Sequence, residues 1–386
     1  MSAVFDRPPP GLRWRQVLSG FDGPLMAALL FLAAIGLVAM YSAGYDHGTR
    51  FVDHGRNMLL ALAVLFVVAQ VPPQKLQQLA VPLYVVGVML LIVTALPGVG
   101  ISRKGAMRWL NVGIVIQPSE ILKIAMPIML AWWFQKREGQ LRVPDFIIAA
   151  LLLMVPVVLV MRQPDLGTSL LILAGGLYVI FFAGVSWKLV VPVFVIGALA
   201  ILAIVLSADH ICEPGVRWVV LREYQQNRVC TLLDPTRDPL GKGFHIIQGM
   251  IAIGSGGLSG KGFMQGTQTH LEFIPERTTD FIFAAFSEEF GLAGVLTLLL
   301  AFSFLIFRGL VIAAEAPTLF TRLLAGAVTM SFFTYAFVNM GMVSGILPVV
   351  GVPLPFVSYG GTAMVSLGLG LGILMSIARS RRLMQS

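Results

Sequence analysis

The feature that most limits how this chain can fold is a succession of ten apolar runs, at about residues 24–42, 57–71, 79–96, 119–134, 145–161, 166–183, 188–207, 280–307, 319–340 and 361–378. A helix needs about 20 predominantly apolar residues to cross the hydrocarbon core of a bilayer, and most of these runs reach or approach that length. Only 12% of the chain is charged, against about 25% in soluble domains. The pattern predicts an all-α polytopic membrane protein of about ten transmembrane helices. It is read as one membrane domain over 1–386, with an N-terminal arm (1–23) and a large loop (208–279) between helices 7 and 8. The runs at 57–71 and 119–134 are short, so their ends are the least defined. The first run follows a basic arm (Arg7, Arg13, Arg15) without a small-x-small cleavage site, and reads as an uncleaved first helix.

Charge placement orients the bundle. With the N-terminus inside, the inward segments hold thirteen cations: Arg7, Arg13, Arg15, Lys75, Lys136, Arg137, Arg142, Lys188, Arg308, Arg322, Arg379, Arg381 and Arg382. The short outward loops hold six: Arg50, Arg56, Arg103, Lys104, Arg108 and Arg162. Long loops are largely exempt from the positive-inside rule, so the count predicts both termini in the cytoplasm.

Two outward loops break the pattern of short connections. The first, about Pro97 to Pro118, places Arg103, Lys104, Arg108 and Trp109 outside, against the charge rule. In the second, Phe244 to Leu258 is apolar but too short to span, a length typical of re-entrant or interfacial segments. The glycines at 254, 256, 257, 260, 262 and 266 do not make a phosphate loop. Position 255 is Ser where Walker A needs Gly, and Lys261 is followed by Gly262 instead of Ser or Thr. Tight turns and close backbone packing account for them better. Cys212 and Cys230 fall in the same loop. They are either two unrelated small apolar residues or a disulfide stapling the loop base in an oxidising compartment.

The segment Leu271 to Gly294 concentrates charge where charge is costly. Glu272, Glu276, Arg277 and Asp280 run directly into an apolar helix. Helix capping alone would account for Asp280, but not for the three charges before it. Carboxylates close together raise one another's pKa, which makes a usable general base. Glu288, eight residues on, falls near the face of Asp280 and is expected at a cavity; Glu289 points elsewhere. Gln117, Glu120 and Lys123 lie three apart at the start of another run, so the Glu120–Lys123 pair is either a structural ion pair or a headgroup site. Either way it points into the bundle. Asp165 opens the next helix, as a cap or a site residue. Asn339 is an interhelical hydrogen-bonder or a cavity residue. In SYGG (358–361) the glycines make a turn and Ser358 is a candidate for the cavity. The five histidines (47, 54, 210, 245, 270) are scattered, and neither a zinc motif nor a G-x-S-x-G elbow is present.

NMGMVSGILPVVGVPLPFVSYGG (Asn339 to Gly361), GAMRWLNVG with QPSEILK, QPDLGTS, DPLGKGFHIIQ and PERTTDFIFAAFSEEFGLAG together resemble the SEDS family (shape, elongation, division and sporulation). The match covers essentially the whole chain and looks like the elongation type more than the division type. One departure is Val115 and Ile116, where some relatives carry an arginine. The resemblance implies a peptidoglycan glycosyltransferase of the bacterial cytoplasmic membrane, polymerising lipid II during elongation, with the aspartate of T-D-F, here Asp280, as catalytic residue. It implies as partners a class B penicillin-binding protein and other elongation-complex membrane proteins, and no nucleic acid. Such chemistry needs cations at the diphosphate. Arg103, Lys104 and Arg108 are candidates, with Arg217, Arg222 and Lys123 further ones and Trp109 beside them. A divalent cation (Mg or Mn) could share the role, although no multi-carboxylate cage is evident. Lipid II flipping and a non-catalytic scaffold role for the transpeptidase are the competing readings.

Overall fold

The computed structural model describes residues 21–46, 48–96, 99–103, 106–111, 113, 115–213, 216, 218, 223–237, 241–274 and 276–385. Each of the ten apolar runs forms a helix: α1 (Gly23–Ala43), α2 (Arg50–Val68), α4 (Ala80–Thr94), α5 (Pro118–Lys136), α6 (Val143–Arg162), α7 (Leu166–Phe182), α8 (Trp187–Leu206), α13 (Ile282–Ala314), α14 (Leu319–Val343) and α15 (Gly361–Gln385). Short helices fill the connections: α3 (Pro73–Gln78), α9 (Ala208–Ile211), α10 (Glu223–Leu233), α11 (Lys242–Ser255) and α12 (Thr267–His270). Among the described residues, seven helices are long and apolar enough to cross a membrane, and Ala80–Thr94 and Leu166–Phe182 are shorter apolar helices.

Local chemistry sets the ends. Asp22 caps α1 by accepting from the Leu25 N–H at 3.0 Å. Arg308 closes on the same carboxylate with Nε at 2.9 Å and Nη2 at 2.6 Å, tying α1 to α13. Helix α2 begins at Arg50, seven residues before the apolar run, because the polar residues Asp53, His54 and Arg56 form its first turns. The loop expected between 97 and 118 holds a small antiparallel sheet, order β1-β2-β3: β1 (Ile101–Arg103), β2 (Ala106–Asn111) and β3 (Val115–Ile116). Trp109 stands opposite Ile101 in it.

Burial separates centre from rim. In α14, 72% of the most apolar window is buried, and in α15 67%, whereas α8, with a mean hydropathy of 3.1, buries none. Lipid is as apolar as leucine and does not drive helices together, so a uniformly apolar helix such as α8 can stand at the rim.

Helix α13 is broken at Gly291 (φ 59°, ψ −162°). The loop after α11 fills the break. Lys261 N–H and Gly262 N–H donate to the carbonyls of Glu288 and Glu289 at 3.0 Å each, and Leu292 and Ala293 N–H donate to Gly257 and Leu258 carbonyls at 2.9 and 3.1 Å. Backbone groups freed by the break are thereby satisfied inside the protein, as a membrane requires. The approach is close enough to exclude side chains: a Cβ on Gly256 would lie 2.2 Å from the Ser287 carbonyl oxygen, and one on Gly260 2.0 Å from that of Glu289. This is the packing role expected of the loop glycines.

Cys212 and Cys230 are bonded, with Cα atoms 5.6 Å apart, joining the end of α9 to α10. Alkylation of the denatured, unreduced protein is expected to add no label, and two labels after reduction. Two labels without reductant would rule the bond out.

Candidate active site

Asp280 is placed by a turn. The Glu276 carbonyl accepts from the N–H groups of Thr279 (3.0 Å) and Phe281 (3.1 Å), and the Thr279 hydroxyl donates to the Glu276 carboxylate at 2.7 Å. The N-cap position of α13 is Phe281, with no side-chain capping bond, so Asp280 does not hold the cap position. The connection from α14 to α15 (344–360) lies alongside. Tyr359 N–H donates to the Thr278 carbonyl at 2.8 Å, and the Ser358 hydroxyl to that of Thr279 at 2.7 Å. Asn339 Nδ2 donates to the carbonyls of both Asp280 (2.9 Å) and Val352 (2.8 Å). Three consecutive backbone carbonyls are thus held by one stretch, and the half-buried carboxylate of Asp280 faces Gly351, where a Cβ would stand 3.4 Å from Oδ2.

Gly351 also meets the start of α7. A Cβ on Gly167 would be 2.8 Å from the Val350 carbonyl oxygen and 3.5 Å from that of Gly351. Asp165, two residues earlier, caps α7 through Thr168 N–H (3.1 Å) and also accepts from Gln117 Nε2 (3.1 Å). Arg108 lies 3.5 Å from the same carboxylate and donates to the carbonyls of Gln163 (3.3 Å) and Pro164 (2.6 Å). Gln117 precedes α5, whose first turns carry Glu120 and Lys123, paired at 2.6 Å. Lys123 also donates to the Tyr335 hydroxyl (2.7 Å), and Ser366 donates to Glu120 (2.8 Å). A small cavity among α5, α7, α14 and α15 is lined by Lys123, Leu171, Ser331, Tyr335 and Ser366. The pair does point into the bundle, one turn after Gln117, which with Arg108 holds Asp165.

Other candidates sit elsewhere. Glu288 does not face an open cavity. It is fully buried and accepts from Lys261 Nζ (2.6 Å), Thr267 Oγ1 (3.1 Å), Gln268 N–H (3.0 Å) and Thr269 N–H (3.3 Å). Glu289 accepts from Ser42 Oγ at 2.5 Å and lies 3.4 Å from His270 Nε2. The helical-face argument fails because loop 256–270 wraps this turn on several sides. Ser358 faces no cavity either: its oxygen accepts from Leu354 N–H (2.8 Å) while its proton goes to Thr279. Glu272 is exposed in a left-handed turn (φ 60°), and Glu276 is occupied in the turn before Asp280. Arg277 is buried, donating to the Ala43 carbonyl at 3.0 Å and pairing with Asp46. Lys104, Arg217, Arg222 and the side chain of Arg103 lie outside the described residues. Among the described residues, no three His, Cys, Asp or Glu side chains converge as a metal site would require.

Among the described residues, a bundle of apolar helices with the Asp280 carboxylate beside Gly351 defines a polytopic membrane protein, and comparison with known proteins defines the family. The model of the FtsW/RodA/SpoVE family, described as "Cell cycle protein", matches residues 24–383. The chain belongs to this family, in agreement with the SEDS resemblance of its motifs. It is 46% identical over 381 residues to the peptidoglycan glycosyltransferase MrdB of Escherichia coli K12, covering 98% of each chain. The rod shape determining protein RodA of Thermus thermophilus matches with a TM-score of 0.67 at 28% identity, over 94% of this chain and 97% of that one. A chain of a peptidoglycan synthase complex, described in terms of coordinated polymerization and crosslinking, matches with a TM-score of 0.76 at 33% identity, over 94% and 98%.

Proposed function

We propose that this chain is a peptidoglycan glycosyltransferase that polymerises lipid II, with Asp280 as general base. One observation carries the assignment: the stretch 339–359 fixes the Asp280 backbone and sets its carboxylate beside Gly351. In the reaction, the 4-hydroxyl oxygen of an incoming GlcNAc bonds to the anomeric carbon of the donor MurNAc. The bond from that carbon to the diphosphate breaks, the hydroxyl proton passes to Asp280, and undecaprenyl diphosphate leaves. Proton removal by a positioned carboxylate contributes about 10²- to 10⁴-fold. Among the described residues, the donor set at this site does not form a cage for a metal.

The charge count supports cytoplasmic termini in the bacterial inner membrane, so that the end bearing Asp280 faces outward, where lipid II is used. The partner fitting this activity is a class B penicillin-binding protein, which would crosslink the strands beside other elongation-complex membrane proteins. The test is polymerisation of labelled lipid II by the purified protein with that partner. Asp280→Ala polymerising as well as wild type would overturn the assignment in favour of a flippase or scaffold.

Asn339 is a positioning residue in this scheme. Asn339→Leu strips the donor from two buried carbonyls and is expected to lower kcat by about tenfold or more, since a misplacement of the order of 1 Å can cost about 100-fold. KM should change little. Steady-state kinetics on folded variant would show this; an unchanged kcat would count against it.

A further inference from the structure

We infer that Arg50 binds the diphosphate of the lipid substrate beside Asp280; this rests on the proposed glycosyltransfer. Among the described residues, four cations at this end of the bundle are already paired. Arg108 is held by Asp165 and two carbonyls, Arg277 by Asp46 and Ala43, Lys261 by Glu288 and Arg56 by Asp53. Among the described residues, Arg50 has no carboxylate partner. Its Nη1 donates to the Thr278 hydroxyl at 3.3 Å, and its guanidinium lies 4.7 Å above the Tyr359 ring.

Helix stability does not explain an arginine here. Arg50 is the first residue of α2, where the helix dipole disfavours a cation. A carboxylate is available one turn on, yet Asp53 pairs with Arg56 at 3.1 Å and accepts from Thr49 at 2.9 Å. The two groups that do hold Arg50 belong to the cradle of Asp280. Thr278 precedes it by two residues, and Tyr359 N–H bonds the Thr278 carbonyl. Ring stacking and one N–H contact orient the guanidinium, and among the described residues most of its five donors are left over. A half-buried arginine fixed in this way presents a fork suited to bidentate phosphate binding. There it would offset the negative charge that develops on the diphosphate oxygen as the glycosidic carbon leaves it.

The test uses the full-length protein with its transpeptidase partner. In Asp280→Asn, which keeps the cradle and lacks the base, binding of labelled undecaprenyl diphosphate is measured with and without Arg50→Gln or Arg50→Lys. Arg50→Gln is expected to weaken binding by about 10- to 100-fold, as loss of a charge-assisted bidentate contact does, with Arg50→Lys in between. In the Asp280-intact protein, Arg50→Gln should lower polymerisation by about 100-fold. Thr278→Val, which removes only the hydroxyl anchor, should have a much smaller effect. If Arg50→Gln and Thr278→Val are equally damaging, or if product binding is unchanged by Arg50→Gln, Arg50 is only a strut. Displacement of the label by excess phosphatidylglycerol would make this a general anionic-lipid contact and overturn the inference. Arg50→Lys keeps the charge and guards against loss of folding. Failure here leaves the role of Asp280 standing, whereas an Asp280→Asn protein that polymerises normally removes the base without touching the binding result.

Discussion

Asparagine in place of Asp280 is expected to reduce polymerisation of labelled lipid II by about 10²- to 10⁴-fold while the protein still folds, inserts and assembles with its partner. The separation follows from how the site is held. Asn339, Ser358 and Tyr359 grip the backbone carbonyls of Asp280, Thr279 and Thr278, not the carboxylate. The substitution keeps side-chain shape and these backbone contacts while it removes charge and basicity. Gel analysis of glycan products, beside thermal melts and co-purification of the complex, reads the two halves independently. Normal product lengths and rates from the Asn variant would remove Asp280 from the chemistry. A collapse in melting temperature would mean that its carboxylate also holds the fold.

Alanine in place of Glu288 should do the opposite, damaging the fold first. The carboxylate is fully buried and collects two backbone N–H groups, two threonine hydroxyls and the Lys261 ammonium. Removing one member of a buried, hydrogen-bonded pair costs about 3–5 kcal/mol because its partners are left unsatisfied. Glu288→Gln retains an acceptor and should lose less. Lys261→Met should also lose less, since Glu288 keeps its two backbone and two threonine donors. Melting in detergent orders the three variants, and protease cleavage within 256–270 should appear first in Glu288→Ala. A Glu288→Ala protein that melts with wild type would show that the backbone contacts at Gly291 hold the loop unaided.

How much of this was legible in the sequence differs by feature. The ten helices were, because a bilayer demands length and apolarity and both are written directly in composition. The start of α2 was not: its first two turns are polar and contain Arg50, Asp53 and Arg56, so hydropathy places the boundary too late. The break at Gly291 was hidden for a related reason, since a glycine within an apolar run reads as a packing residue until the loop that enters it is known. The sheet at 101–116 gave no alternation strong enough to separate it from a loop. Asp280 stood out because a carboxylate at the head of an apolar helix is costly. Glu288 stood out for the same reason and was misread, because the same cost can be met by a partner 27 residues away, Lys261, that no periodicity connects to it. Arg50 counted as one more loop cation. Its significance lies in its place beside Thr278 and Tyr359, which only the folded chain reveals.

The seam between the loop after α11 and the break in α13 has a mechanical consequence. Backbone bonds cross it in both directions, and glycines at 256, 260 and 291 leave no slack for sliding. Residues 242–262 and the first two turns of α13 therefore behave as one stiff lever, with Asp280 at its tip. Strain placed on the loop would reach the turns of α13 that follow Asp280, while the three bonds from 339–359 hold the base itself in place.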